Sequence, residues 1–173
     1  MKKKLALLTA MMLAMALLTI VPAFAQTLPE GVESFEIPSR FHTEGPVSYQ
    51  PIPPIGGDHA PVWQNCGFYD APIRNENAVH SLEHGVVWIT YQPTLSPDQV
   101  EALRGLASSH SHVLVSPYPG LPAPVIASAW GRQLRLEGVY DPRLEQFVSS
   151  FERGPQSPEP GGPCTGGVGA PVV

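Results

Sequence analysis

Proline and glycine are the residues that most restrict where this chain can form regular structure. The sequence contains 21 prolines and 16 glycines, and many of them lie in residues 26–61 and 154–173, where no helical or strand periodicity is sustained. Proline removes a backbone donor and glycine adds conformational freedom, so both interrupt helices and strands. Helices and strands are therefore expected mainly in residues 85–152.

Between these two segments the sequence predicts an α+β fold. Runs of β-branched and aromatic residues favour strands, and a serine or aspartate followed by proline is typical of a helix start. The predicted elements are a strand at residues 85–91, a helix at 96–109, a strand at 113–115, one or two strands at 125–136 interrupted at Gly131, and a helix at 142–152. This β-α-β-β-α order predicts a small mixed β-sheet covered by two helices, with at least one parallel strand pair.

The first 25 residues have the pattern of a cleaved signal peptide. Three lysines at positions 2–4 precede an apolar run over residues 5–21, and the small residues Ala23 and Ala25 stand where a signal peptidase cuts. The apolar run is short for a stable membrane anchor, which is the alternative interpretation. We therefore expect cleavage between Ala25 and Gln26 and an extracytoplasmic product, periplasmic or secreted, with no stable membrane anchor.

The mature chain is predicted to be acidic and to form one domain. It contains neither lysine nor methionine, and its seven arginines stand against fifteen acidic residues, which gives a formal charge of −8. This charge disfavours nucleic acid and anionic lipid as partners. Its 148 residues fit one domain. We expect that domain at residues 48–155, between a Pro/Gly-rich N-terminal arm at 26–47 and a flexible tail at 156–173.

The two cysteines, Cys66 and Cys164, are predicted to form a disulfide. An even number of cysteines in an exported chain is typical of disulfide pairing, because the compartment is oxidising. The bond would tie the tail to the start of the domain. Free thiols or a pair of soft metal ligands are the alternatives.

Residues 80–85, His-Ser-Leu-Glu-His-Gly, carry the densest chemical signal. His80 and His84 are four residues apart, so a helical turn would present both imidazoles on one side and allow them to bind one ion. His59 follows a Gly-Gly-Asp sequence whose backbone can bend and bring a third imidazole close. Three neutral imidazoles suit zinc or copper(II), and the absence of methionine from the mature chain disfavours copper(I).

Two other interpretations of this motif stay open. Its His-x-x-Glu-His pattern matches the inverted zinc peptidases, in which Glu83 would act as general base on metal-bound water. That motif normally lies inside a long helix, whereas Gly85 should end any helix here. Alternatively, the histidines hydrogen-bond to the backbone in a structural module that binds no metal.

The other histidines have weaker signals. His110 and His112 lie between a predicted helix and a predicted strand, and we expect both to face water in a connecting loop. His42 lies in the arm and has no near partner in the sequence.

Five segments of the sequence resemble the bacterial family known as domain of unknown function 3105. They are Gly-Asp-His at 57–59, Cys-Gly-Phe-Tyr at 66–69, Val-His-Ser-Leu-Glu-His-Gly at 79–85, Ser-Pro-Tyr-Pro at 116–119 and Ala-Trp-Gly-Arg at 129–132, and the resemblance covers roughly residues 48–155. In the family a proline commonly precedes the first histidine. Here Asp58 takes that place, which adds a carboxylate to the site or adjusts the turn. The resemblance implies that His59, His80 and His84 form one feature, in exported or membrane-tethered proteins, and it implies no reaction.

The prediction is a non-catalytic domain that binds copper or zinc through His59, His80 and His84. Glu83 and Asp58 are expected to orient these ligands without binding the ion themselves. A metal-dependent hydrolase and a structural or interaction module without metal are the alternatives.

Overall fold

The computed structural model describes residues 28–172 and places a mixed six-stranded sheet at the centre of this part of the chain. The strands are β1 (Glu33–Ser34), β2 (Gly67–Phe68), β3 (Val87–Tyr91), β4 (Val113–Pro117), β5 (Val125–Ala129) and β6 (Arg132–Leu136), and the helices are α1 (Asn75–Glu83), α2 (Pro97–Ser109) and α3 (Pro142–Phe151). The sheet order is β1-β6-β5-β3-β4-β2, with β3 parallel to β4 and antiparallel to β5. The predicted signal peptide lies outside the described residues. Within residues 28–172, no helix has the length and apolarity needed to span a membrane.

The predicted α+β class is confirmed, and the predicted central elements occur where the sequence indicated them. Helix α2 begins with a capping box, in which Ser96 Oγ accepts the Gln99 N–H at 3.4 Å and the Gln99 side chain accepts the Ser96 N–H at 3.1 Å. Asp141 caps α3 by accepting the Arg143 N–H at 3.0 Å. Helix α1 and the two short edge strands β1 and β2 add to this predicted core.

Both faces of the sheet are covered by apolar clusters. On β3, Val87 and Ile89 belong to the cluster that α2 and α3 cover, whereas Trp88 belongs to the cluster that contains α1. This division follows from the alternation of side chains along a strand. Every residue of β3, β4 and β5 is buried, as expected for strands packed on both sides. Helix α1 therefore lies directly against the centre of the sheet.

Helix α1 ends at Glu83 because Gly85 turns the chain. Gly85 has a φ of 88°, a left-handed conformation that favours glycine, and its N–H donates to the Leu82 carbonyl at 3.0 Å. A β-carbon here would lie 2.9 Å from Cα of Arg153, so the packing of the segment after α3 also requires glycine. The turn leads into β3 and leaves the motif at the C-terminal end of the helix.

The N-terminal arm is attached to the domain by backbone pairing at two points. Strand β1 pairs with β6 in antiparallel register, and His42 forms a parallel bridge with His59. The partners are far away in sequence, which explains why no local periodicity marks the arm.

The structure brings the sulfur atoms of Cys66 and Cys164 to bonding distance, with their Cα atoms 5.3 Å apart, which supports the predicted disulfide. The Cys66 N–H also donates to the Cys164 carbonyl at 2.8 Å. Beyond the bridge, Val168 forms a parallel bridge with Gln64. The described part of the tail thus contacts the domain, and the division of the chain into arm, domain and tail stays a prediction.

His110 and His112 make specific contacts, so the expectation that both face water was wrong. His110 Nδ1 lies 2.8 Å from Glu152 Oε2, and His112 Nε2 lies 3.0 Å from the Gly162 carbonyl oxygen. The end of α3 covers this loop, and Glu152 also accepts the His112 N–H at 2.8 Å.

Removal of the disulfide is expected to destabilise the fold. The bridge closes a loop across a sequence separation of 98 residues, and a crosslink of this kind typically stabilises a protein by about 2–4 kcal/mol. We expect the double variant Cys66→Ala/Cys164→Ala to lose about this much free energy of unfolding in urea. Two reactive thiols per chain in denatured, unreduced parent protein would contradict the pairing.

The contacts of Glu152 predict an acid-sensitive contribution to stability. Burial disfavours the ionised carboxylate, but hydrogen bonds from His110 and from the His112 N–H outweigh burial and lower the pKa of Glu152 below its ordinary value of 4.5. Such a group stabilises the fold fully above the ordinary pKa and loses this contribution as the pH falls through the folded-state pKa. We expect Glu152→Gln to lower the free energy of unfolding by about 1–2 kcal/mol at pH 7 and by much less below about pH 3. Urea unfolding of both proteins at the two pH values measures this difference, and an equal effect at both would contradict the assignment.

Candidate metal centre

Four side chains from three parts of the chain meet at one end of α1. His42, His59, His80 and Glu83, which we call the histidine–glutamate group, each offer one ligand atom, and these atoms all lie within 4.8 Å of one another. Ligand atoms bound to zinc at about 2.0–2.1 Å lie about 3.3 Å apart in a tetrahedron. The observed separations therefore require only small side-chain adjustments to close around an ion.

Local structure explains how the four residues come together. His80 and Glu83 are three residues apart on α1, so they share one face of the helix. His42 and His59 are neighbours through their parallel bridge, in which the His59 N–H donates to the Phe41 carbonyl at 3.0 Å. The next residue, Ala60, donates its N–H to the Glu76 carbonyl of α1 at 3.1 Å, which fixes the bridge against the helix.

Hydrogen bonds to main-chain carbonyls define the tautomers of the two buried imidazoles. His59 Nδ1 lies 2.8 Å from the Gly57 carbonyl oxygen, and His80 Nδ1 lies 2.7 Å from the Ala60 carbonyl oxygen. A carbonyl oxygen only accepts, so both Nδ1 atoms carry the proton. A neutral ring then presents the lone pair of Nε2, and this arrangement is typical of histidines that bind metals.

His59 Nε2 is a buried polar atom that has no hydrogen bond within residues 28–172. Glu83 Oε2 lies 3.1 Å away, within the range of an ion pair, but the direction does not suit a hydrogen bond. For a neutral His59, two acceptors therefore face each other in the interior, which is unfavourable unless a positive charge lies between them. A cation bound to both atoms would satisfy each of them.

The environment of His80 favours its neutral form. Burial lowers the pKa of His80 below its ordinary value; the hydrogen bond to Ala60 opposes this shift, and the neighbouring His84, His59 and His42 add to it. The neutral imidazole is the form that binds a metal ion.

The group is open to solvent on the side of the arm. His59, His80 and Glu83 are buried, whereas His42 is exposed, and its ring stacks on that of His80 with the centroids 5.0 Å apart. Arg40 Nη1 lies 3.3 Å from Glu83 Oε1, and the Arg40 side chain is 58% exposed. Arg40 and His42 thus form the outer rim of the centre.

Asp58 lies outside the histidine–glutamate group and holds the arm. Its carboxylate accepts the Ser39 hydroxyl and the Phe41 N–H, the latter at 2.8 Å. Both hydrogen bonds lower the pKa of Asp58, and the one from Ser39 has the larger effect. Because they attach the segment that carries Arg40 and His42, Asp58 positions the rim.

His84 lies beside the group and is not part of it. Its ring packs edge-on against His80, with the centroids 4.7 Å apart. Its Nδ1 lies 2.7 Å from the Pro163 carbonyl oxygen, and its Nε2 lies 3.7 Å from a Glu159 carboxylate oxygen. Of the three predicted ligands, the structure brings His59 and His80 together with Glu83 and leaves His84 facing the tail.

Sequence reasoning missed His42. The interpretation that it has no near partner was wrong, because the partner is His59, 17 positions later, and only the parallel bridge makes them neighbours. No local signal at position 42 indicates this pairing. Glu83 was expected to orient ligands, and the structure places its carboxylate among the possible ligand atoms.

Comparison with known proteins identifies the family of this chain. No curated protein and no solved structure significantly matches it. A family model does match, over residues 41–166, a range that contains the whole histidine–glutamate group and both cysteines. The chain therefore belongs to the family described as Protein of unknown function (DUF3105), as the resemblance predicted.

Proposed function

We propose that this protein binds one copper or zinc ion through the histidine–glutamate group, and that it binds or handles the ion without catalysing a reaction. The observation that carries the proposal is the buried Nε2 of His59, which makes no hydrogen bond to any residue that the structure describes and faces a carboxylate oxygen of Glu83 at 3.1 Å. The Nε2 atom of His80 and a ring nitrogen of His42 complete the set of ligands.

The chemistry of these ligands favours zinc or copper(II). Three imidazole nitrogens with one carboxylate oxygen suit borderline divalent ions. Copper(I) prefers sulfur, but all four methionines lie within the first 15 residues and both cysteines are paired. A soft sulfur site is therefore disfavoured.

The two alternatives have less support. A general base needs a carboxylate oxygen directed at water, whereas one oxygen of Glu83 contacts Arg40 and the other faces His59. A purely structural module would leave the buried Nε2 of His59 facing the Glu83 carboxylate at 3.1 Å without a well-directed hydrogen bond. Metal binding accounts for the contact between Glu83 and His59 and for the nitrogen without a hydrogen bond.

We further propose that the ion is bound outside the cytoplasm. The paired cysteines hint at an oxidising compartment, and residues 1–25 have the pattern of a signal peptide. Both observations support export.

The proposal predicts one zinc or copper ion per chain in protein purified without a histidine tag. His59→Ala and His80→Ala each remove a ligand, and we expect affinity to fall by more than about a hundredfold, beyond the effect usual for residues that only orient ligands. His84→Ala should retain the stoichiometry, since His84 lies outside the group. Isothermal titration measures the affinity, and elemental analysis measures the number of ions per chain.

His110→Ala is the matched control, because it removes an imidazole that contacts Glu152 and lies outside the histidine–glutamate group. Its metal content should equal that of the parent protein. The proposal fails if the parent binds no ion, or if His59→Ala and His80→Ala bind as tightly as the parent.

A further inference from the structure

The histidine–glutamate group contains less negative charge than is needed to neutralise a divalent ion. Its imidazoles are neutral as ligands, so Glu83 supplies the only negative charge, and the Arg40 guanidinium adds a positive charge 3.3 Å from that carboxylate. Two other carboxylates are nearby but engaged elsewhere. Asp58 accepts hydrogen bonds from Ser39 and Phe41, and Glu159 faces His84. A bound divalent ion would therefore leave an excess of positive charge, which attracts an anion.

The excess positive charge would lie on the solvent side of the centre. Around the bridge to His59 the arm is extended, and alternate side chains of an extended segment point to the same side. Arg40 and His42 accordingly both face the group: Arg40 contacts Glu83, and His42 stacks on His80. These two side chains are exposed, whereas the other three residues of the group are buried. A ligand from solvent would approach the ion between them.

Arg40 has donors available for such a ligand. A guanidinium carries five N–H donors, and within residues 28–172 the only hydrogen bond from the Arg40 side chain runs from Nη1 to Glu83. The planar fork of a guanidinium matches the two oxygens of a carboxylate better than a point charge does.

We propose that the metal centre binds a small carboxylate anion, with one carboxylate oxygen on the ion and the other on the Arg40 guanidinium. This inference rests on the proposed metal-binding function and names the class of ligand that the same centre accepts. The anion would add a fifth ligand to the four of the histidine–glutamate group, on the exposed side of the ion between Arg40 and His42, and no covalent bond of the protein or of the anion changes.

The test uses cobalt(II), whose visible spectrum reports its coordination, with acetate as the probe. The purified chain is loaded with one equivalent of cobalt in a non-coordinating buffer and titrated with acetate. We expect a saturable spectral change. Arg40→Gln should weaken acetate binding by about tenfold or more, as expected for loss of a charged hydrogen bond, while one cobalt ion per chain is still bound. Arg40→Lys should give an acetate affinity between those of the parent and of Arg40→Gln, because lysine retains the positive charge but lacks the planar fork of the guanidinium.

Arg135→Gln is the matched control, since it removes the same charge from an exposed arginine that pairs with Glu33 of the edge strand β1 and lies outside the histidine–glutamate group. Its acetate affinity should equal that of the parent. If the parent binds none of cobalt, zinc and copper, the proposed function itself fails. If cobalt binds but acetate leaves the spectrum unchanged, or if Arg40→Gln binds acetate as tightly as the parent, the carboxylate inference is overturned and metal binding stands.

Discussion

The candidate site depends on two hydrogen bonds from imidazole to main chain. His59 donates from Nδ1 to Gly57, and His80 donates from Nδ1 to Ala60. The bond of His59 fixes that ring within its own segment, whereas the bond of His80 fixes the second ring and also attaches the segment to α1. Gly57 has a φ of 114°, which favours glycine, so the backbone can direct its carbonyl towards the ring of His59. The Nε2 atom of His59 then faces a carboxylate oxygen of Glu83 at 3.1 Å, and with Nδ1 of His80 bound to the main chain, Nε2 of His80 is the nitrogen that can bind an ion.

The rest of the fold stabilises the end of α1 that carries these residues. Gly85 ends the helix, and the tail crosses the same end: the Glu159 N–H donates to the Glu83 carbonyl at 3.0 Å, and the Gly161 N–H donates to the His84 carbonyl at 2.9 Å. A β-carbon on Gly162 would lie 2.7 Å from the His84 ring, so the tail packs directly on that imidazole. The Cys66–Cys164 pair anchors this crossing to the domain. His84 therefore contributes to the attachment of the tail, while the neighbouring Glu83 remains directed towards the group.

The sequence predicts the sheet and two of its helices because their signals are local. The capping residues Ser96 and Asp141 and the β-branched run of β3 depend on neighbours within a few positions. The candidate site was predicted in part: His80 stood out through its spacing to His84 and His59 through its glycines, whereas Glu83 was expected only to orient ligands. His42 could not be predicted, because its position depends on backbone pairing with a segment that has no periodicity of its own. The exclusion of His84 from the group depends on contacts with the tail, which no spacing rule reports.

The side-chain nitrogen NMR spectrum of the histidines, recorded with and without zinc, tests the centre most directly. The account predicts Nδ1-protonated rings for His59 and His80 in both states. It also predicts that one equivalent of zinc shifts the Nε2 resonances of these two residues and a ring nitrogen of His42, while the resonances of His110 and His112 stay in place. Nε2 resonances of His59 and His80 that do not respond to zinc, or a response confined to His84, would contradict the account.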